Sequence, residues 1–331
     1  MGNGLCLDPR CLFASDEKPQ NPEFECMTRE TREGAGLWER CRTCGLAINR
    51  TGVPPGEVGE YYSEAYVRSN SFTSGELLNA SQHFEERLDS IRVIADSLRP
   101  YLTKSMRVLE VGSGTGELLY LLKDSVRYCF GIEINEVYAA FTNQELGIDS
   151  SCQDYLALAF EEPFDCVISI NTLDHLYEPQ WTVEKVRKEL RPGGLFYVEV
   201  PNDDQALKRF LPAPQRDAFS KFMYQRAHNY SFSFGTVTRL LTERGFQVVS
   251  QKSRHDYTLN NYLHWYYSGQ PQKRLRTAMG DTAIHGGETE FEREMNRLFA
   301  DFNTEFKTVM ERCQVGESIC VLAQRPSGPI R

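Results

Sequence analysis

The segment Val108-Leu-Glu-Val-Gly-Ser-Gly-Thr-Gly-Glu-Leu-Leu119 constrains this chain more than any other. An apolar run ends at Val111, glycines follow at 112, 114 and 116, and an apolar helical stretch opens at once. Glycine accepts φ > 0 and lets a ligand approach the main chain closely. Strand, glycine turn and helix in that order belong to an open parallel α/β sheet, whose ligands bind at the carboxyl ends of the strands. A nicotinamide-binding turn would place its third glycine three residues after the second. Glu117 holds that place, and the third glycine comes early. Glu110, just ahead of the glycines, suits a ligand with an amino group and a cationic sulfonium better than a pyrophosphate.

The chain on either side supports a doubly wound sheet. Strand-like runs at Arg107–Val111, Cys129–Ile134, Asp165–Ile170, Leu195–Val200 and Gln247–Ser250 alternate with helical stretches at Glu117–Leu122, Trp181–Leu190 and Thr236–Glu243. Such alternation predicts βαβ units. Ahead of them a helix runs from Ser81, with Phe84, Leu88, Ile91, Ile94 and Leu98 on one face. Ser318–Ala323 reads as a final strand, separated by an aromatic segment and by a helix with Phe291, Met295, Leu298, Phe302, Phe306 and Val309 on one stripe. Three regions result: a Cys-rich, loop-rich module at 1–70, a sheet domain at 71–253 and 314–331, and a helical, aromatic insertion at 254–313.

Two carboxylates extend the ligand site. Glu133 ends the second strand, placed to accept from both hydroxyls of a ribose, and Asp154 follows the third strand region, placed to accept from an adenine amine. With these in order, residues 85–250 resemble the class I S-adenosylmethionine-dependent methyltransferases. The matching blocks are Glu110–Gly116, Glu133, Asp154, the segment 164–171 and the Arg-Pro-Gly-Gly segment at 190–198. The resemblance implies a Rossmann-like seven-stranded sheet with its last strand antiparallel, and S-adenosylmethionine as cofactor. It places Glu110, Gly112, Ser113, Gly114 and Gly116 around the methionine part. Glu133 and Ile134 would lie at the ribose, Asp154 and Tyr155 at the adenine, and Asn171 would face the cofactor from the fourth strand.

Methyl transfer to a hydroxyl needs a positioned acceptor and a base, and the ordinary pKa of histidine suits the second task. His175 follows the fourth strand in Asn171-Thr-Leu-Asp-His175. In ubiquinone-pathway and small-RNA methyltransferases a Glu-x-x-Glu-His pattern there binds a divalent metal; Asn171 and Asp174 replace both glutamates here. His228, in Arg226-Ala-His-Asn-Tyr-Ser231, is similar to the substrate-side histidine of antibiotic-sugar C-methyltransferases, with Tyr224 as a catalytic helper, Tyr230 beside the substrate and Ser233 as helix cap. The segment Arg254–Trp265 is similar to one in surface-glycan methyltransferases, which implies Asn261, His264 and Trp265 as acceptor-pocket residues; core packing is its alternative reading.

Ten cysteines raise the question of metal, and five fall in the first 44 residues. Cys41-Arg-Thr-Cys44-Gly is a zinc-knuckle sequence, and Cys6 with Cys11 supplies a looser second pair for a structural tetrahedral site. A metal-free remnant is the alternative. A net charge of −9 disfavours nucleic acid, which calls for clustered cations. No apolar run reaches membrane-spanning length and no signal peptide is visible, so a cytoplasmic location is expected. The expected function is methyl transfer to a small-molecule or sugar-nucleotide hydroxyl in glycan or secondary-metabolite biosynthesis. The rivals are C-methylation of a keto-sugar, a catalytically silent binding protein and, last, RNA methylation. A homodimer is compatible with the sequence.

Overall fold

A computed structural model describes residues 24–62, 78–272, 283 and 286–328. Its centre is a seven-stranded sheet of β4 (Arg107–Val111), β5 (Tyr128–Ile132), β6 (Asp149–Ser151), β7 (Phe164–Ile170), β8 (Leu190–Pro201), β10 (Gln247–Arg254) and β11 (Ser318–Gln324). The order is β10-β11-β8-β7-β4-β5-β6. β4 pairs in parallel with β5 and β7, and β7 with β8, while β11 runs antiparallel between β8 and β10. The expected Rossmann-like sheet with its last strand antiparallel is present.

Period-two alternation puts two cores on the two faces of this sheet. Leu109, Val111, Val167, Phe196 and Val198 face one way, onto Val183 and Val186 of the Pro179–Glu189 helix and Val237 and Leu240 of the Phe234–Glu243 helix. Val108, Cys166, Ile168 and Tyr197 face the other way, onto Ile91, Ile94 and Leu98 of the Ala80–Leu98 helix and Leu118 and Leu122 of the Glu117–Leu122 helix. Ser233 caps the Phe234–Glu243 helix, accepting from the Thr236 amide while the Thr236 hydroxyl accepts from the Ser233 amide.

The amino-terminal region departs from the loop-rich expectation. It forms β1 (Phe24–Thr31), β2 (Gly34–Cys41) and β3 (Ala47–Asn49), which with β9 (Tyr230–Ser231) make a four-stranded sheet. Most of β1 is partly or fully exposed, so no apolar alternation marks it in the sequence. β3 pairs with β9 through Ala47–Ser231 and Ile48–Tyr230. Cys41, Leu46 and Ile48 enter the same core as Leu109 and Val111. The small sheet is thereby tied to the large one at its carboxyl edge, where β9 lies.

Candidate active site

The glycine turn is held by its neighbours. The amides of Gly112 and Ser113 both donate to the Ile132 carbonyl, at 2.8 and 2.9 Å. Gly112 has φ +82°, and a Cβ there would lie 2.1 Å from the Thr172 hydroxyl, so the β4 turn and the loop after β7 touch where only glycine fits. Gly114 differs. Its φ is +54°, and a Cβ would meet nothing nearer than a Glu117 oxygen at 3.5 Å, leaving open space above the main chain.

Carboxylates surround that space. Glu133 accepts the Gly114 amide on one oxygen at 2.9 Å and the Asn135 amide on the other at 2.8 Å. Burial pushes its pKa up to about 7 against the pull of these two amides, and the charge of Glu117 adds to the rise. Glu110 is 4% exposed, and one of its oxygens has no hydrogen-bond partner among the described residues; the Ser113 hydroxyl is buried and equally unpartnered. Burial, with Glu117 and Glu133 nearby, holds the Glu110 pKa well above the carboxylate range. Glu117, which the sequence reading left outside the site, is buried too. It accepts from Thr115 at 2.8 Å and faces His83 and Arg87 of the Ala80–Leu98 helix, each at 3.5 Å. The pairing of His83 and Arg87 one helical turn apart was the available signal for it.

S-adenosylmethionine fits these residues. Its amino group offers donors and its sulfonium positive charge to crowded carboxylates, one oxygen of Glu110 having no hydrogen-bond partner among the described residues, and the open space over Gly114 admits a ligand against the main chain. Glu133 keeps acceptor capacity on both oxygens for ribose hydroxyls. Ile134 beside it is 47% exposed. Asp154 caps the next turn through the Leu156 amide at 2.9 Å. Tyr155 sends its side chain elsewhere: it is buried, and its hydroxyl donates to Glu189 at 2.6 Å. Asn171 takes the left-handed conformation, φ +47°, at the end of β7, where a non-glycine residue carries strain of the kind that gathers at functional sites.

His175 and His228, read from the sequence as separate candidates, form one cluster. Their rings meet edge to face with centroids 4.5 Å apart. Between them lies Asp174, fully buried, with neither carboxylate oxygen hydrogen-bonded among the described residues. The Nε2 atoms of His175 and His228 stand 3.5 and 3.6 Å from the same Asp174 oxygen. Burial, then the neighbouring His175 and Arg32, lowers the His228 pKa well below the ordinary value, so its imidazole is neutral. Burial raises that of Asp174. Tyr62 reaches the cluster through its hydroxyl, 2.6 Å from His175 Nδ1, while its carbonyl accepts from the Asn135 side chain at 3.2 Å. It thus spans from the Glu133 turn to the histidines.

Several other expected site residues have their side chains engaged elsewhere. Tyr224 is 1% exposed and stacks on Trp38 at 4.6 Å, its hydroxyl donating to Asp203, so it is no helper to His228. Trp265 is 2% exposed and packs on Phe219 and Phe222, in the core role that was its alternative reading. Asn261 is buried on the same helix, and His264 is exposed there, bonded to the Gln270 carbonyl at 2.7 Å. Tyr230 is buried and donates to the Tyr177 carbonyl at 2.9 Å. Cys41 and Cys44 sit on a tight turn closed by the Gly45 amide on the Cys41 carbonyl at 2.8 Å. Cys6 and Cys11 lie outside the described residues.

A mostly parallel sheet with an antiparallel β11 and a crowded, glycine-lined carboxylate site at its strand ends defines an enzyme of the class I S-adenosylmethionine-dependent type. The methyltransferase-domain family model matches residues 82–251, and the chain belongs to that family. It is 28% identical over 144 residues to a methyltransferase of Mycolicibacterium smegmatis, covering 43% of this chain and 52% of that one. To the ubiquinone biosynthesis O-methyltransferase of Parvibaculum lavamentivorans it is 26% identical over 167 residues, 46% of this chain and 64% of the other. The chain thus spans between about half and two thirds of these relatives. Among solved structures, magnesium protoporphyrin IX methyltransferase from Synechocystis superposes with a TM-score of 0.49 at 13% identity, covering 82% of this chain and 100% of that one. No helix among the described residues is long and apolar enough to cross a membrane.

Proposed function

We propose that the chain transfers a methyl group from S-adenosylmethionine to a hydroxyl of a small-molecule or sugar-like acceptor, with His228 as the base. The observation that carries this reading is the buried Asp174 carboxylate, unpartnered and 3.6 Å from Nε2 of a neutral His228. When bound, the cofactor supplies a methyl carbon activated by its sulfonium. Asp174 favours the tautomer with the proton on Nε2, which leaves the Nδ1 lone pair free to take the acceptor's proton. His228 keeps 14% of its side chain exposed, enough for an acceptor to reach it. Tyr62 fixes the His175 ring, and Asn135 fixes Tyr62 beside the cofactor carboxylate.

The test is incubation of the chain with methyl-labelled S-adenosylmethionine and a panel of hydroxylated sugars and sugar nucleotides, with products located by carbon NMR. Label on oxygen supports the reading. Label on carbon favours the keto-sugar rival, and cofactor binding without product on any acceptor favours a silent binding protein.

A second reading has its own observation. One ligand atom from each of Asp174, His175 and His228 lies within 4.8 Å of the others, a carboxylate and two imidazoles, which suits a divalent transition metal. Metal analysis separates the two: stoichiometric metal whose removal by chelator abolishes turnover supports a metal centre in place of the base. The same analysis tests structural zinc on Cys6, Cys11, Cys41 and Cys44, where one zinc per chain lost on Cys44→Ser supports that proposal.

A further inference from the structure

Just past β8, Asp203 gathers more positive charge than it neutralises. Its carboxylate, 1% exposed, accepts from the Arg40 guanidinium, the Lys208 ammonium, the Tyr224 hydroxyl at 2.8 Å and the Ser231 hydroxyl at 3.1 Å. Both cations are withdrawn from water, Lys208 with 12% and Arg40 with 26% of the side chain exposed. A third cation, Arg216, is exposed with no carboxylate partner among the described residues. These three, with Ser220 and Tyr224, line a cavity of about 230 Å³ against β1. Its one acidic lining residue is Glu25; Asp204, outside the lining, acts on Arg40 and Lys208 more weakly than Asp203 does.

Asp203, which holds the cavity's cations, is linked to the chain segment that carries His228. Ser231, bonded to Asp203, is three residues from His228, at most about 10 Å of extended chain. The Asp203 amide also donates to the Phe232 carbonyl at 2.8 Å, so Asp203 is bonded twice to the segment 228–232 that carries His228. Arginine and lysine converging with hydroxyls are the donors that recognise phosphate oxygens.

We propose that this cavity binds the phosphate or diphosphate of the acceptor, so that the hydroxyl to be methylated belongs to a phosphorylated small molecule. This rests on the methyl-transfer reading above. The anion displaces water from Arg216 and takes the donor capacity that Asp203 leaves on Arg40 and Lys208. A phosphate ester and a nucleoside diphosphate share this chemistry, and relative affinity for the two inorganic anions distinguishes them.

The test is calorimetric. The full chain is first titrated with S-adenosylhomocysteine, then, saturated with it, with inorganic pyrophosphate and orthophosphate at constant ionic strength. Saturable binding at one site is expected, weakened at least tenfold in Arg216→Ala with S-adenosylhomocysteine affinity unchanged. Preference for pyrophosphate supports a diphosphate acceptor, and equal affinity supports a monoester. No saturable binding of either anion by a chain that binds S-adenosylhomocysteine overturns the inference alone, as does wild-type affinity in Arg216→Ala. Failure to bind S-adenosylhomocysteine overturns the methyl-transfer reading and this inference with it.

Discussion

The Asp174 carbonyl accepts the Asn229 amide at 2.7 Å, and the Asn229 side chain returns a hydrogen bond to the His175 carbonyl, also at 2.7 Å. The loop after β7 and the segment before β9 are stitched together by main-chain bonds from Asn229 and Tyr230 to Asp174 and by the Asn229 side chain. The facing of His175 and His228 is therefore held by the backbone and by Asn229, and does not depend on the two rings attracting each other.

His228→Ala should lower kcat about a hundredfold or more, the contribution of a positioned base. S-adenosylmethionine affinity should stay near that of the wild type, because the cofactor carboxylates are untouched. Kinetics and calorimetry on the same preparation check both halves; a variant as fast as wild type removes His228 from the base role.

The acid limb of the kcat profile should fall at a pH below the ordinary histidine value of about 6.5. A base works unprotonated, and burial lowers the His228 pKa, so activity persists on acidification until pH passes through that lowered value. A pH–rate profile from 5 to 8 reads the limb directly.

Cofactor affinity should have a different pH dependence. As the proposed acceptor of the ribose hydroxyls, Glu133 would work best when ionised, and its pKa is raised to about 7. Affinity should then be flat above pH 7 and decline below it, by up to tenfold per pH unit. Glu133→Gln should bind weakly with that decline removed, measured by calorimetric titration at several pH values.

Gly112→Ala and Gly147→Ala separate strain from collision. Both glycines have positive φ, but a Cβ at 147 meets nothing within 4 Å, whereas at 112 it strikes Thr172. Urea unfolding should show a loss of about 1 kcal/mol at 147 and about 2–5 kcal/mol at 112.

Trp265→Ala should cost about 3–5 kcal/mol of stability, as for other buried tryptophans. Its ring packs against Phe219 and Phe222. KM for the acceptor should change little at a temperature where the variant is folded. A large KM change with unchanged stability would return Trp265 to the acceptor pocket.

Legibility in the sequence followed burial. β4 was read with its observed limits, Arg107–Val111, because four of its five residues are buried apolar or carboxyl side chains leading into an unmistakable turn. β6, only Asp149–Ser151 and polar throughout, left no pattern. The helices Ala206–Phe210 and Ala213–Met223 also escaped, one for its brevity and the other because Phe219 is its only fully buried residue. At the site, the glycine turn and Glu133 were legible as a local motif. Joining His175 to His228 through Asp174 needed the third dimension, since 53 residues separate the two histidines along the chain. Tyr224 misled because proximity in sequence to His228 said nothing of its stacking on Trp38.

The pairing of β3 with β9 has a consequence for how the chain is made. Ala47 and Ile48 leave the ribosome long before Ser231 and Tyr230, their hydrogen-bond partners. With roughly 180 residues between them and synthesis at about 5–20 residues per second, the small sheet waits about 10–40 s for its fourth strand. Through that interval the edge of β3 is open, an invitation to pair with a neighbouring nascent chain. Closure of the small sheet and delivery of His228 to its place are one event, so that sheet and this part of the proposed catalytic site are completed together, before β10 and β11 are made.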